Sequence, residues 1–294
     1  MLFLPLFKAT RSEKEAFSQN MIPKIIHLCW FSGDKYPEDI KFCLDSWKKV
    51  LPDFQIKVWT KEMALATGID FVREAISVKK WAFAADVIRL YAVYHDGGIY
   101  MDSDIYVQRR FDNFLKKRCA FFQEYYPHMN PTGYIDENGY NVHKTEAVPG
   151  MGIQAALFMS EPGNAFVKEL LDDYEKKHFI LEDGTYNMSL LAPTVYALKA
   201  EKYGYKYLNE EQRLTEDLVI YPSDYVGSGI LLRADSNFAV HCICHSWDDE
   251  YLRLKSKKEP LMIRIKVSIY NLMCRLLGKP YYKEPKTFKE RLGV

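Results

Sequence analysis

Residues 81–107, WAFAADVIRLYAVYHDGGIYMDSDIYV, limit the possible folds more than any other stretch of the chain. From Trp81 to His95 there is no Pro or Gly, and apolar residues fall on nearly every side, which predicts a helix buried all round. Two charges sit inside it, Asp86 and Arg89, spaced i and i+3 on one face. Asp96-Gly97-Gly98 ends the helix, since Gly accepts the left-handed conformation of a C-terminal cap. Ile99-Tyr100-Met101 then reads as a short buried strand that delivers Asp102-Ser103-Asp104 at its end. Residues i and i+2 of a strand point the same way, roughly 6.5–7 Å apart. Two carboxylates so placed repel each other unless a cation sits near them. Oxygen ligands suit a hard cation such as Mn2+ or Mg2+. An isolated Asp-x-Asp is more often a solvated turn, but this one follows a buried strand, a Gly-Gly turn and a buried helix with its own charge pair. That pair would be worth about 0.2–0.5 kcal/mol on an exposed helix. Buried, it is weak evidence for stability and is better explained by a ligand nearby.

The rest of the chain supplies an α/β frame. Ile22 to Trp30 reads as a first strand, Glu38 to Val50 as a helix with Ile40, Leu44 and Trp47 on one side, and Phe54 to Trp59 as a second strand. Strand, helix and strand joined by short turns make a βαβ unit and hence a parallel pair. His27 reads as a satisfied interior histidine. Trp30 lies at the carboxyl end of the first strand, where α/β sheets gather ligands, so its indole is equally a core side chain or a stacking surface for a base. One or two short helices fall within 61–80, an amphipathic stretch spans 111–118, and a strand covers 119–122. Residues 124–150 form a long Tyr-, Pro- and Gly-rich loop in which Asn138-Gly139 signals a hairpin turn. Met151 to Met159 reads as one buried strand, 165–177 as a helix and 218–222 as a strand, followed by the apolar stretch 238–247.

At 294 residues and 48% hydrophobic, the chain holds one large domain with or without an appendage. A formal net charge of +1 gives no bias toward nucleic acid. The charge is uneven, however. Residues 251–294 carry twelve Lys/Arg and three Asp/Glu, net +9, which leaves the first 250 at net −8. Within this tail, Leu261 to Leu277 is apolar with one polar stripe at helical spacing. It therefore reads either as an amphipathic helix lying on an anionic membrane surface or as a helix docked on the domain. The expected division is a domain over 1–250 and a basic helical tail over 251–294. The six cysteines form no Cys-x-x-Cys and no disulfide framework, and no run is long and apolar enough to be a signal core or membrane span. A reduced, cytoplasmic protein is the expectation, peripheral on the inner face of the membrane if the tail binds there. A zinc site at His241-Cys242-Ile243-Cys244-His245 is disfavoured, because strand spacing would put the two histidines roughly 13 Å apart.

Ala85-Asp86-Val87-Ile88-Arg89, Gly97-Gly98-Ile99-Tyr100 and Asp102-Ser103-Asp104 together resemble the DXD sugar-binding region of glycosyltransferase family 32, which is related to the large glucosylating bacterial toxins. The opening Ile22-Pro23-Lys24-Ile25-Ile26-His27-Leu28-Cys29-Trp30 and the closing His241 with Ser246-Trp247 fit the same family. The resemblance implies a GT-A type, Rossmann-like fold with a mainly parallel central sheet flanked by helices. It implies a retaining hexosyltransferase that uses a nucleotide-diphosphate sugar, UDP-sugar favoured, and Mn2+ or Mg2+. The acceptor would be a glycan or lipid-linked saccharide in capsular or other surface polysaccharide synthesis. By resemblance Asp104 binds the cation, Asp102 bridges ribose and cation, and His241 approaches the metal. Asp86 and Arg89 hold donor sugar hydroxyls, Tyr100 lines the nucleoside pocket and Trp30 stacks on the base. Ser246 and the Trp247 indole donate to the diphosphate. The family's usual Asn is missing at Ala155, where Gln154 is the nearest substitute. Two other classes fit an Asp-x-Asp chain: a metal-dependent phosphohydrolase, which would want Thr or Gly where Ile105-Tyr106 stand, and a non-catalytic sugar-nucleotide sensor.

Overall fold

A computed structural model describes residues 22–130, 132–144, 146–187, 191–229 and 233–243, together with Lys289, Leu292 and Gly293. The first strand is β1 (Ile25–Cys29) and runs into helix α1 (Glu38–Val50). Glu38 and Asp39 in its first turn and Lys48 and Lys49 in its last suit the helix dipole. Strand β2 (Gln55–Trp59) pairs parallel with β1, which completes the expected βαβ unit. Two short helices follow, α2 (Lys61–Leu65) and α3 (Asp70–Ser77), and then the long helix α4 (Trp81–Asp96).

Helix α4 is buried along most of its length, from Phe83 to Val93, as its pattern requires. Gly97 ends it with φ +65° and an amide that donates back to the Val93 carbonyl at 3.0 Å. Gly98 opens β3 (Gly98–Met101) against β1, and a Cβ there would lie 2.5 Å from the Ile25 oxygen. His27 explains how this corner is pinned. Its Nε2 bonds the Gly97 carbonyl at 2.8 Å, and its Nδ1 accepts the Trp59 indole N–H at 3.1 Å. Burial lowers its pKa, so it is the satisfied interior histidine expected.

The remaining elements are β4 (Ile105–Val107), β5 (Cys119–Tyr125), β6 (Met151–Ile153), β7 (Leu157–Ser160), helices α5 (Ala165–Glu175) and α6 (Ala192–Glu201), β8 (Gln212–Arg213), β9 (Val219–Tyr221), β10 (Val226–Ser228) and β11 (Ala239–His241). The main sheet has the order β2-β1-β3-β7-β5-β9-β8, with β6 added on β5. Strands β2, β1, β3, β5 and β9 run one way, and β7, β8 and β6 run against them. The expected α/β fold with a mainly parallel central sheet is therefore observed. Alternate residues feed two apolar layers, Tyr100 and Phe121 facing the layer of α4, and Ile99, Met101 and Phe122 facing the layer of α1. A second sheet, β10-β11-β4, stands beside the first.

Two local expectations need correcting. The single strand read over 151–159 is two: the Gln154 amide still bonds the Phe122 carbonyl of β5 at 2.7 Å, but residues 155–156 turn alongside Asp102, whose amide donates to the Ala156 carbonyl at 2.8 Å. Asp102-Ser103-Asp104 is not extended. It is a turn, closed by Ile105 N–H to the Asp102 carbonyl at 3.1 Å, that carries the chain from the main sheet into the small one. Residues 111–118 are amphipathic as read, with Phe111, Phe114 and Leu115 buried around a short 3-10 turn, Phe114–Lys116. At Asn138-Gly139 the hairpin forms as expected, with Ile135 bridged to Asn141. Among the described residues no helix is long and apolar enough to cross a membrane, and Cys29, Cys43, Cys119 and Cys242 are free thiols. The tail helix expected over 261–277 lies outside the described residues, but Leu292 is buried against Cys43, Val240 and Cys242.

Candidate metal and donor-sugar site

The site forms where β3 ends, at the carboxyl ends of the parallel strands, as α/β sheets favour. Arg89 is its organiser. It is 5% exposed, which a guanidinium tolerates only when its donors are used. Its Nη2 lies 2.9 Å from Asp86 Oδ1 and 3.5 Å from Asp102 Oδ1, and its Nε donates to the Ala85 carbonyl at 3.2 Å. The guanidinium carbon stands 4.7 Å from the centre of the Tyr100 ring. Tyr100 in turn donates its hydroxyl to Asp102 Oδ1 at 2.6 Å. Asp102 is thus fixed by its amide, by a phenol and by a shared guanidinium. Tyr100 is 1% exposed and its hydroxyl is engaged, so it holds Asp102 from below rather than opening onto a pocket.

Asp104, 6% exposed, is held at the start of β4. The Cys242 amide donates to its carbonyl at 3.0 Å, and the Trp47 indole N–H bonds the next carbonyl, Ile105, at 2.7 Å. His241 on β11 pairs with Ile105, which brings its Nε2 to 3.5 Å from Asp104 Oδ1. One ligand atom each from Asp102, Asp104 and His241 lies within 4.8 Å of the others. Burial opposes a charge on His241, but Asp104, with Asp102 and Glu124 behind it, raises the imidazole pKa to about 9. Burial likewise pushes the Asp86 carboxyl up to about 7 against the pull of Arg89.

The donor set fits a hard divalent cation. With His241 neutral, as a metal ligand must be, Asp86, Asp102 and Asp104 against Arg89 leave two formal negative charges among these residues. Two carboxylates and an imidazole suit Mn2+, Mg2+ or a similar ion better than a thiolate-seeking one. The disfavoured zinc arrangement gains nothing here. Cys242 turns away from His241 into the cluster with Cys43, and Cys244 and His245 lie outside the described residues. So do Ser246 and Trp247, the two expected diphosphate donors. Trp30 sits half-buried at the end of β1, with its indole N–H on the Asp34 carbonyl at 2.8 Å and its ring 4.6 Å from that of Tyr36.

Several neighbours complete the site, of which the sequence singles out Gln154 and hides the others. Glu124, at the carboxyl end of β5, feels the charge of His241, and burial raises its pKa. Gln154 is 2% exposed and donates to Ser228 Oγ at 2.9 Å, while its Oε1 has no partner. Ser228 pairs with His241 across β10 and β11, and its carbonyl accepts the Tyr126 hydroxyl. The Tyr196 hydroxyl on α6 is buried without a partner beside Asp86 and Arg89.

Residues 37–121 match the family described as the glycosyltransferase sugar-binding region containing DXD motif. The chain is similar to Glucan organizing enzyme 1 of Cryptococcus neoformans var. grubii, 26% identical over 218 residues, which is 72% of this chain and 52% of that protein. It is also similar to Inositol phosphoceramide mannosyltransferase 2 of Schizosaccharomyces pombe, 32% identical over 120 residues, 38% of this chain and 33% of that protein. The chain thus spans about half the length of the first relative and a third of the second. Among solved structures, the PaToxG glycosyltransferase aligns with 95% of this chain and 90% of its own at 15% identity and a TM-score of 0.44. The galactosyltransferase LgtC, in complex with donor and acceptor sugar analogues, aligns with 82% and 99% at 12% identity and a TM-score of 0.37.

Proposed function

We propose that this chain, whose residues 37–121 match the glycosyltransferase sugar-binding region containing DXD motif, is a metal-dependent glycosyltransferase. It moves a hexose from a nucleotide-diphosphate sugar to a glycan or lipid-linked saccharide, with retention at the anomeric carbon. The observation that carries the proposal is the convergence of Asp102, Asp104 and His241 beside the buried Asp86–Arg89 pair. Those three residues would hold Mn2+ or Mg2+. When bound, the cation supplies Lewis-acid neutralisation of the diphosphate leaving group.

The protein residues do the rest. Tyr100 and Arg89 keep Asp102 in one orientation, so the site is ready before the donor arrives. Asp86 accepts sugar hydroxyls, and Arg89 is shared between it and Asp102, which ties the sugar's position to that of the metal ligands. Trp30 offers its ring to the base, with Ser246 and Trp247 on the diphosphate. UDP-hexoses are the favoured donors. GDP-mannose belongs in the same panel because a relative is named as a mannosyltransferase. Surface polysaccharide synthesis in the cytoplasm, at the inner face of the membrane, is the proposed setting.

The test is a panel of UDP- and GDP-sugars followed by thermal shift and turnover, with and without Mn2+. At least one should raise the melting temperature only with the cation and should then be consumed, with release of the nucleoside diphosphate. Full turnover in EDTA refutes the metal role. Binding without turnover makes the protein a sensor, and orthophosphate release from simple phosphate esters makes it a phosphohydrolase.

A further inference from the structure

The strand that carries His241 has two faces. His241 turns to Asp104, and its neighbours Val240 and Cys242 turn the other way, as strand alternation requires. On that reverse side Val240 (0% exposed) and Cys242 (4%) pack with Cys43 of α1 (0%) and with Leu292 (2%), fifty residues further along the chain from Cys242. Phe42 of α1 and Tyr106 of β4 close the cluster, their rings stacked 5.1 Å apart. Among the described residues, every other member comes from α1, β4 or the end of β11, and Leu292 is the contribution from elsewhere.

The small sheet needs that contribution. Its strands β4, β10 and β11 are three residues each. A sheet so short has little stability of its own and takes its position from what it packs on. One face of β11 carries His241 and, two residues before it, Ala239 in the α1 layer; the reverse face, through Val240 and Cys242, adds a second apolar contact with α1 next to the histidine. Removing a buried leucine leaves a void that neighbours only partly fill, and the strand can shift into it. A site loosened by about 1 Å loses much of its function.

We infer that Leu292 is a positioning residue for the cation site: it fills the back of β11 and thereby fixes the distance of His241 from Asp102 and Asp104. The inference rests on the cation reading given above, and it adds a segment that lies far from the ligands in sequence.

The test is Mn2+ affinity of the full chain, titrated by electron paramagnetic resonance with no nucleotide present. Leu292→Ala should weaken binding roughly ten-fold, the low end of the loss seen when support for a metal ligand is removed. Leu292→Met should restore most of it. In a His241→Ala background, Leu292→Ala should change Mn2+ affinity by less than about two-fold, because the residue acts through that histidine. Leu170→Ala, in the other apolar layer on α5, should lower the melting temperature without moving Mn2+ affinity. If Leu292→Ala does not fold, Leu292→Val is the milder variant and should weaken binding in the same direction. The inference is overturned if the Leu292 variants lose stability with Mn2+ affinity unchanged, or weaken it equally without His241. A wild-type protein that binds no Mn2+ overturns the cation reading as well, which separates the two failures.

Discussion

Arg89 does for two buried carboxylates what a hydration shell would do in solution, and single residues around it make sharp predictions. Asp104→Asn removes a ligand charge while keeping the shape, so it should abolish Mn2+ binding and cut turnover by roughly 100-fold or more, as several kcal/mol of charge stabilisation is lost. Mn2+ titration and initial rates read this directly, and near-normal values for both would count against Asp104 as a ligand. His241 predicts a pH dependence. Its pKa in the folded protein, about 9, stands above the usual 6.5, so its contribution to stability is fully present below about pH 6.5 and is lost as the pH rises through 9. Cation binding runs the opposite way, because the metal needs the neutral imidazole. Across pH 6.5–9 the metal-free protein should lose stability relative to His241→Gln while Mn2+ affinity rises; the reverse trend in either would show that the Asp104 contact does not hold the proton. The residues within 86–104 were legible because one short stretch carries the helix, the cap and the carboxylates. His241 was legible only through resemblance, and Glu124 not at all, since an unpaired Glu at a strand end looks like any surface Glu until the fold places His241 near it.

Among the elements, helix α4 and the Gly-Gly corner followed from pattern, because a helix apolar on all sides has few places to go and a left-handed cap needs Gly. The corner is also the element most open to test. Gly98 has φ +107°, and an added Cβ would meet the Ile25 carbonyl, which cannot move without breaking β1 from β3. Gly98→Ala should cost about 1–3 kcal/mol from the backbone conformation alone, and more from the contact. Urea denaturation measures it, and a loss below about 0.5 kcal/mol, the scatter of a neutral surface change, would mean that the corner yields. The breaks in regular structure were not legible. Residues 154–156 are as apolar and continuous as a strand in sequence. What parts them is tertiary: the Ala156 carbonyl is claimed by the Asp102 amide in place of a ladder partner. The Asp102–Asp104 turn hid for the same reason, since period-two alternation reads straight through a turn that changes sheets.

For the whole molecule, the net charge of +9 over 251–294 on a body of −8 is the basis for the proposed contact with an anionic membrane. Each basic residue near such a surface contributes about 1 kcal/mol. Replacing Lys255, Lys257 and Lys258 with Gln should reduce co-sedimentation with anionic vesicles and leave binding to neutral ones unchanged; equal binding of both proteins to anionic vesicles would remove the charge argument. Deleting the segment is a poorer experiment, because Leu292 is part of the packed protein. The turn from Asp102 to Asp104 has a further consequence at this scale. One carboxylate closes a strand of the large sheet and the other opens a strand of the small one, so the gap between them gauges the angle between the two sheets. An ion gripping both would act as a rivet across that joint. The Cys242 amide, bonded to the Asp104 carbonyl, sits on the small-sheet side. Its hydrogen exchange should slow on adding Mn2+ while amides within β1 and β2 stay as they were. The same riveting would let the protein report cation occupancy as stiffness, at a distance from the ion, before any sugar is bound.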